Sequence, residues 1–136
     1  MEDCIFCKIV DGELPSLKVY EDEDVLAFLD IMAVNKGHTL VIPKEHYYNI
    51  EDAPENIIAK VMAVVRKVAP AVKKAADTDG FVVMQCNGKT GGQVVPHLHF
   101  HIIPRLKDDG LKFWPQEKYA EGEREEYWKR ILAEMG

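Results

Sequence analysis

Long apolar runs are missing from this 136-residue chain. The longest, such as Val25-Leu26-Ala27-Phe28-Leu29, are far too short to cross a bilayer, so no membrane is expected as a partner. An excess of positive charge is missing too. The 17 Lys and Arg side chains face 23 Asp and Glu, a net charge of −6, which argues against nucleic acid as a partner because such binding rests on clustered cations. An anionic substrate must then be held by local donors, since the long-range field has the wrong sign. Cysteine is scarce, and three residues do not make a disulfide scaffold. The stretch MEDCIFCKIVDG lacks a basic segment followed by an apolar one, so no secretory signal is read and a cytoplasmic protein is expected. Repeats, low-complexity tracts and Gly/Ser linkers are absent, and the length suits one domain with a real core.

What is present reads as strands, one long helix, more strands and a tail. Strands are predicted near 18–21, over 25–29 and over 38–42, the last stopped by Pro43; the second and third read as an antiparallel pair. A helix is predicted from Asp52, where Asp52 and Glu55 have capping-box spacing and Pro54 fits the first turn. Ile57, Ile58, Val61, Met62, Val65, Val68 and Val72 recur at helical spacing. Pro70 is expected to kink that helix or split it. Asp79-Gly80 turns into a fourth strand over 81–85, and 121–135 reads as a helix with Tyr127, Trp128, Ile131, Leu132 and Met135 on one face. This order predicts an α+β fold with an antiparallel sheet.

The stretch HLHFHII, at 97–103, carries the strongest chemical signal. A strand turns alternate side chains to opposite faces, so His97, His99 and His101 share one face at steps of roughly 6.6 Å. Imidazole titrates near neutral pH and suits proton transfer, metal ligation or nucleophilic attack. Directly before it, Asn87-Gly88-Lys89-Thr90-Gly91-Gly92-Gln93 is a Gly-rich loop whose backbone can approach an anion, with Asn87 and Gln93 as neutral donors. From the residues alone, two readings stay open: three metal ligands, or a catalytic group beside a phosphate site. Cys4-x-x-Cys7 points to metal or redox chemistry, and Cys86 reads as a small core residue.

His97-Leu98-His99-Phe100-His101-Ile102-Ile103 resembles the His-φ-His-φ-His-φ-φ signature of the histidine triad (HIT) family, where φ is apolar. Cys4-Ile5-Phe6-Cys7-Lys8-Ile9, Ala27-Phe28-Leu29-Asp30-Ile31, the segment from Gly37 to His46 and Gly91-Gly92-Gln93 are similar to HIT segments in the same order. The resemblance is strongest to the Hint branch, small homodimeric nucleotide hydrolases and transferases. It implies a HIT-like sheet of about five strands with one long helix and a C-terminal helix. It also implies a single domain over 1–136, with its core at about 4–105 and a C-terminal extension at 106–136.

For the site, the resemblance implies that His99 attacks the α-phosphorus of a purine nucleotide conjugate and forms a nucleotidyl-histidine intermediate that water hydrolyses. His101 would contact phosphate and leaving group, and His38 would support the site. Asp30 would bind the ribose hydroxyls; Ile5, Phe6, Ile9, Phe28 and Ile31 would line the base pocket; Asn87, Gly92 and Gln93 would form the phosphate loop. Cys4, Cys7, His46 and His97 match the structural zinc ligands of some microbial members, a Cys₂His₂ set with no open position; a redox Cys-x-x-Cys is the alternative. Val94 and Pro96 depart from the family, many of whose Hint members have Ser and a Tyr-like residue there. Trp114-Pro115 resembles a segment that in Hint proteins reaches the partner's active site. The leading implied activity is a nucleoside phosphoramidase acting on AMP-linked amines. The alternatives are a dinucleoside polyphosphate hydrolase and a non-catalytic nucleotide-binding protein.

Overall fold

A computed structural model describes residues 3–136; Met1 and Glu2, the first residues of the expected domain, lie outside the described residues. In chain order the elements are α1 (Ile5–Val10), β1 (Lys18–Glu21), β2 (Val25–Leu29), β3 (Thr39–Pro43), α2 (Glu55–Ala75), β4 (Gly80–Gln85), β5 (Phe100–Arg105) and α3 (Glu123–Glu134). The strands form one sheet in the order β1-β2-β3-β5-β4, and every neighbouring pair is antiparallel. The fold is thus α+β, as the sequence predicts.

Strand alternation gives this sheet two apolar faces. On one, Val25, Ala27, Val41, Phe100 and Ile102 pack against Val61, Val64, Val65, Val68 and Val72 of α2. On the other, Leu26, Phe28, Leu40 and Ile42 pack against Phe6 and Ile9 of α1. Residues one apart in a strand therefore serve different helices. Helix α1 is missing from the sequence reading because six residues are too few to show a period. It begins with Cys4 as N-cap, whose sulfur accepts from the Cys7 backbone N–H at 3.4 Å.

Three local expectations are corrected, and a fourth in part. The N-cap of α2 is Pro54, with no side-chain cap. Asp52 instead accepts from the backbone N–H groups of Tyr48 and Asn49 at 3.0 and 2.8 Å, a local turn that competes with the capping box. Pro70 does not split α2 but lies inside a continuous helix; buried valines on both sides of it, from Val61 to Val72, hold the helix to the sheet and offset the lost hydrogen bond. Strand β3 starts at Thr39 and includes Pro43. A proline is tolerated there because the ladder to β5 runs only from Thr39 to Val41. The last correction concerns the histidines: β5 starts at Phe100, so His97 and His99 precede the strand. Before it the chain pairs differently, the Leu98 N–H donating to Tyr47 O at 2.7 Å and the His97 N–H to Val95 O at 2.9 Å. The alternation of faces survives, with Leu98, Phe100 and Ile102 under α2.

Candidate active site

The three histidines of the 97–103 stretch meet three different environments. His97 is fully buried. Its Nε2 lies 2.8 Å from Pro43 O, and a carbonyl only accepts, so Nε2 carries the proton and Nδ1 the lone pair. That lone pair faces Cys4 Sγ at 3.3 Å and Cys7 Sγ at 3.6 Å, and His46 Nδ1 is 3.4 Å from Cys7 Sγ. The first turn of α1 presents both thiols, while His46 follows β3. The ligand atoms of these four residues lie within 4.8 Å of one another and could hold a metal ion. Without one, burial and the neighbouring Cys4 push the Cys7 thiol up to about 11, and burial pulls His97 down to about 4.

At the other end of the run the polarity of the contacts is reversed. The Val34 N–H donates to His38 Nδ1 at 3.1 Å, so the neutral ring carries its proton on Nε2. That proton is shared with His101 Nδ1 at 2.9 Å, which leaves the neutral His101 ring with an Nε2–H to offer. Burial, with His99 and His38 nearby, lowers His101 to about 4; burial lowers His38 as well. Asp30 Oδ2 is 3.7 Å from His38 Nε2, and its Oδ1 accepts from the Met32 N–H at 2.8 Å. Asp30, His38 and His101 also lie close enough to hold a metal, but a proton already occupies the space between the two rings. Displacing it would strand His38 with its other nitrogen blocked by an amide N–H.

His99 belongs to neither cluster. It is buried at 6 % exposure, with the Phe6 ring edge-on at 5.1 Å and His101 at 4.9 Å between centroids. Its Nδ1 lies 2.7 Å from His97 O, so Nδ1 donates and Nε2 keeps its lone pair. Burial lowers its pKa, and the ring is neutral at pH 7.

The other predicted residues divide by exposure. Phe6, Ile9 and Phe28 are brought together in one buried cluster, Phe6 and Phe28 edge-on at 5.6 Å. Ile5 is half-exposed and Ile31 is 96 % exposed. In the Gly-rich loop both side-chain amides are internally bonded. Gln93 accepts from the Gly88 N–H at 2.9 Å and donates to Tyr48 O and Val95 O at 2.6 and 3.0 Å. Asn87 pairs with the Gln85 amide and accepts from the Ile50 N–H at 2.9 Å. A Cβ at Gly91 would lie 2.3 Å from Asn87 O, and Gly92 has φ +93° with its N–H on Lys89 O, so only glycine closes this loop. Sequence reasoning missed the Val34 N–H, whose effect on His38 leaves no mark in residue type.

Residues 11–108 match the profile of the HIT domain. The chain is 44 % identical over 114 residues to adenosine 5'-monophosphoramidase hnt1 of Schizosaccharomyces pombe, covering 82 % of this chain and 83 % of that protein. Its fold matches SMU.412c from Streptococcus mutans with a TM-score of 0.93 and 44 % identity, covering 100 % of this chain and 87 % of the other. A Zn-bound histidine triad family protein from Mycobacterium smegmatis matches with a TM-score of 0.77 and 36 % identity over 98 % of this chain and 96 % of its own. With the three-histidine stretch, the sheet that carries it and these matches in agreement, the chain belongs to the HIT family.

Proposed function

We propose that this protein cleaves nucleoside monophosphate conjugates, with AMP-linked amines as the leading substrate class, through a nucleotidyl-His99 intermediate. The observation that carries the proposal is the Nδ1–H of His99 on His97 O at 2.7 Å. It fixes the tautomer whose free Nε2 can attack phosphorus. As the new N–P bond forms and the bond from phosphorus to the amine breaks, positive charge develops on the imidazole, and the same carbonyl stabilises it. The amine leaves with a proton taken from solvent; water then attacks the same phosphorus, the N–P bond to His99 breaks, the water's proton passes to solvent, and the ring returns to its neutral form. The Nε2–H of His101, prepared by the chain from Val34 through His38, donates to a phosphoryl oxygen.

Asp30 is proposed to hold the ribose diol through Oδ2. Ile5 and Ile31 are proposed to flank the base, over a floor of Phe6, Ile9 and Phe28. Asn87, Gly92 and Gln93 act by shaping the phosphate loop, whose Val94 stands 90 % exposed at its exit. The nearby relative named as an adenosine 5'-monophosphoramidase supports this reading.

The ion at Cys4, Cys7, His46 and His97 is proposed to be zinc. Zinc–sulfur and zinc–nitrogen bonds of the usual lengths give a tetrahedral edge of about 3.6 Å, and the sulfur–nitrogen distances here are 3.3, 3.4 and 3.6 Å. The Nε2–H of His97 on Pro43 O orients the ring from behind. A full donor set makes such an ion structural: it would tie α1, and with it the Phe6 ring against His99, to the sheet. A homodimer in the cytoplasm is also proposed, supported by the outward Phe81 and Val83 of edge strand β4 and Met62 of α2, each about 40 % exposed.

Incubation with AMP- and GMP-linked amines and with dinucleoside polyphosphates tests the activity. The AMP-linked amines should turn over fastest. Faster cleavage of a dinucleoside polyphosphate would transfer the assignment to that class, and binding without turnover of any would remove the enzyme reading.

A further inference from the structure

The segment from Asp30 to His38 carries both the carboxylate proposed for the ribose and the histidine that prepares His101. Packing does not hold it, for Ile31 is 96 % and Met32 80 % exposed. Its two ends are closed on each other by the Asp30 N–H on His38 O at 2.9 Å and the His38 N–H on Asn35 O at 3.0 Å. Among the described residues, one side chain of positions 31–37 hydrogen-bonds outside the loop. That side chain is Asn35, whose Nδ2 donates to Pro104 O at 2.8 Å and to Asp109 Oδ2 at 3.1 Å.

Asp109 follows the last residue that the HIT profile matches, yet its carboxylate is the most heavily bonded polar group near the site. Besides Asn35 it accepts from Arg105 Nε at 2.7 Å and Nη2 at 3.1 Å, and from the backbone N–H groups of Leu106 and Leu111 at 3.0 Å each. The Asp109 side chain is 5 % exposed. So many donors on two oxygens leave one geometry. Arg105 extends the network, donating from Nη2 to Leu111 O at 2.9 Å and lying 4.9 Å over the Phe113 ring, next to Trp114.

We infer that Asp109 is a positioning residue for nucleotide binding: through Asn35 it fixes the 30–38 loop, and through Arg105 it ties that loop to the segment bearing Phe113 and Trp114. The inference rests on the nucleotide reading given above. Removing the Asn35 amide leaves Asp109, Arg105 and the 106–111 turn intact while freeing the loop, so affinity falls, while His99, held on His97 O outside the loop, stays in place. The alternative is an Asp109 that merely holds its own turn.

Titration of AMP into the full-length protein, with steady-state kinetics on an AMP-linked amine, separates the two. Asn35→Ala should raise the Kd for AMP about five- to tenfold and lower kcat less than His38→Ala does, Asp109→Ala should raise the Kd less, and the double variant should do no more than Asn35→Ala alone, the non-additivity of one shared contact. Asp109→Ala should also lower Tm, whereas Asn35→Ala, in an exposed loop, should not. Unchanged AMP affinity in Asn35→Ala, or fully additive effects in the double variant, would overturn this inference alone. A wild-type protein that binds no AMP would instead remove the nucleotide reading beneath it.

Discussion

Two groups of side chains of the types that can ligate a metal stand at opposite ends of one short histidine run, Cys4, Cys7, His46 and His97 at the first and Asp30, His38 and His101 at the second. Their residue types overlap, and what lies behind the rings separates them. A carbonyl, Pro43 O, takes the outer proton of His97 and turns a lone pair toward the sulfurs. An amide N–H, that of Val34, takes the inner lone pair of His38 and turns a proton toward His101. His99 follows the first pattern with His97 O behind it, but no thiol faces it, so its lone pair is free for a substrate. One backbone atom per ring thus sets which nitrogen keeps a lone pair and which a proton, the basis of the ligand, nucleophile and donor roles proposed above.

The comparison can be broken most sharply at its middle member. His99→Ala should lower turnover about a thousandfold or more while AMP still binds, read by single-turnover kinetics beside calorimetry. Near-normal rates would mean that another group attacks. The second cut removes one end. Cys4→Ser should lose bound zinc, measured by elemental analysis, and destabilise the protein by several kcal/mol, since metal affinity in such sites is folding free energy. His38→Ala should keep its zinc, because its ring faces a proton, and should lose roughly ten- to a hundredfold in kcat. Loss of metal from His38→Ala would show that the two clusters are not distinct.

Much of this was legible in the sequence, and the limits were local. Alternation at HLHFHII announced a two-sided element, and the burial of Leu98, Phe100 and Ile102 under α2 confirms the sides. The start of β5 was not legible, because the pairing of Leu98 with Tyr47 is set by a segment some fifty positions away. The valine period of α2 survived a proline that propensity alone would have made its end, since tertiary burial outweighs one missing hydrogen bond. Asp52 had two uses for one carboxylate, and spacing could not choose between a helix cap and the turn at Tyr48. Cys4-x-x-Cys7 spacing pointed to metal or redox chemistry, but its grouping with His46 and His97 was legible only through family resemblance: Cys4 and His97 are 93 positions apart, and a contact of that separation has no period. Val34 is the extreme case, for its contribution is an N–H that every residue except proline carries.

A gentler test of the same contrast is the pH dependence of stability. The folded protein holds His101 at about 4, well below the value of about 6.5 that imidazole has in an unfolded chain. The unfolded state therefore binds the proton first as pH falls, and stability from this group is fully present above pH 6.5 and lost progressively toward pH 4. Carboxylates held below their usual range, such as Asp52 and Asp109, add to the loss only at lower pH, once unfolded carboxylates begin to protonate near 4. Urea unfolding at pH 7, 6, 5 and 4.5 should show the decline, and His101→Gln, which removes the titrating ring, should flatten it. The decline should persist in zinc-loaded protein, where His97 is held as a ligand and cannot take up the proton. An unchanged slope in His101→Gln would mean that the ring is not held neutral by burial and its neighbours, and the donor assigned to its Nε2 would lose its basis.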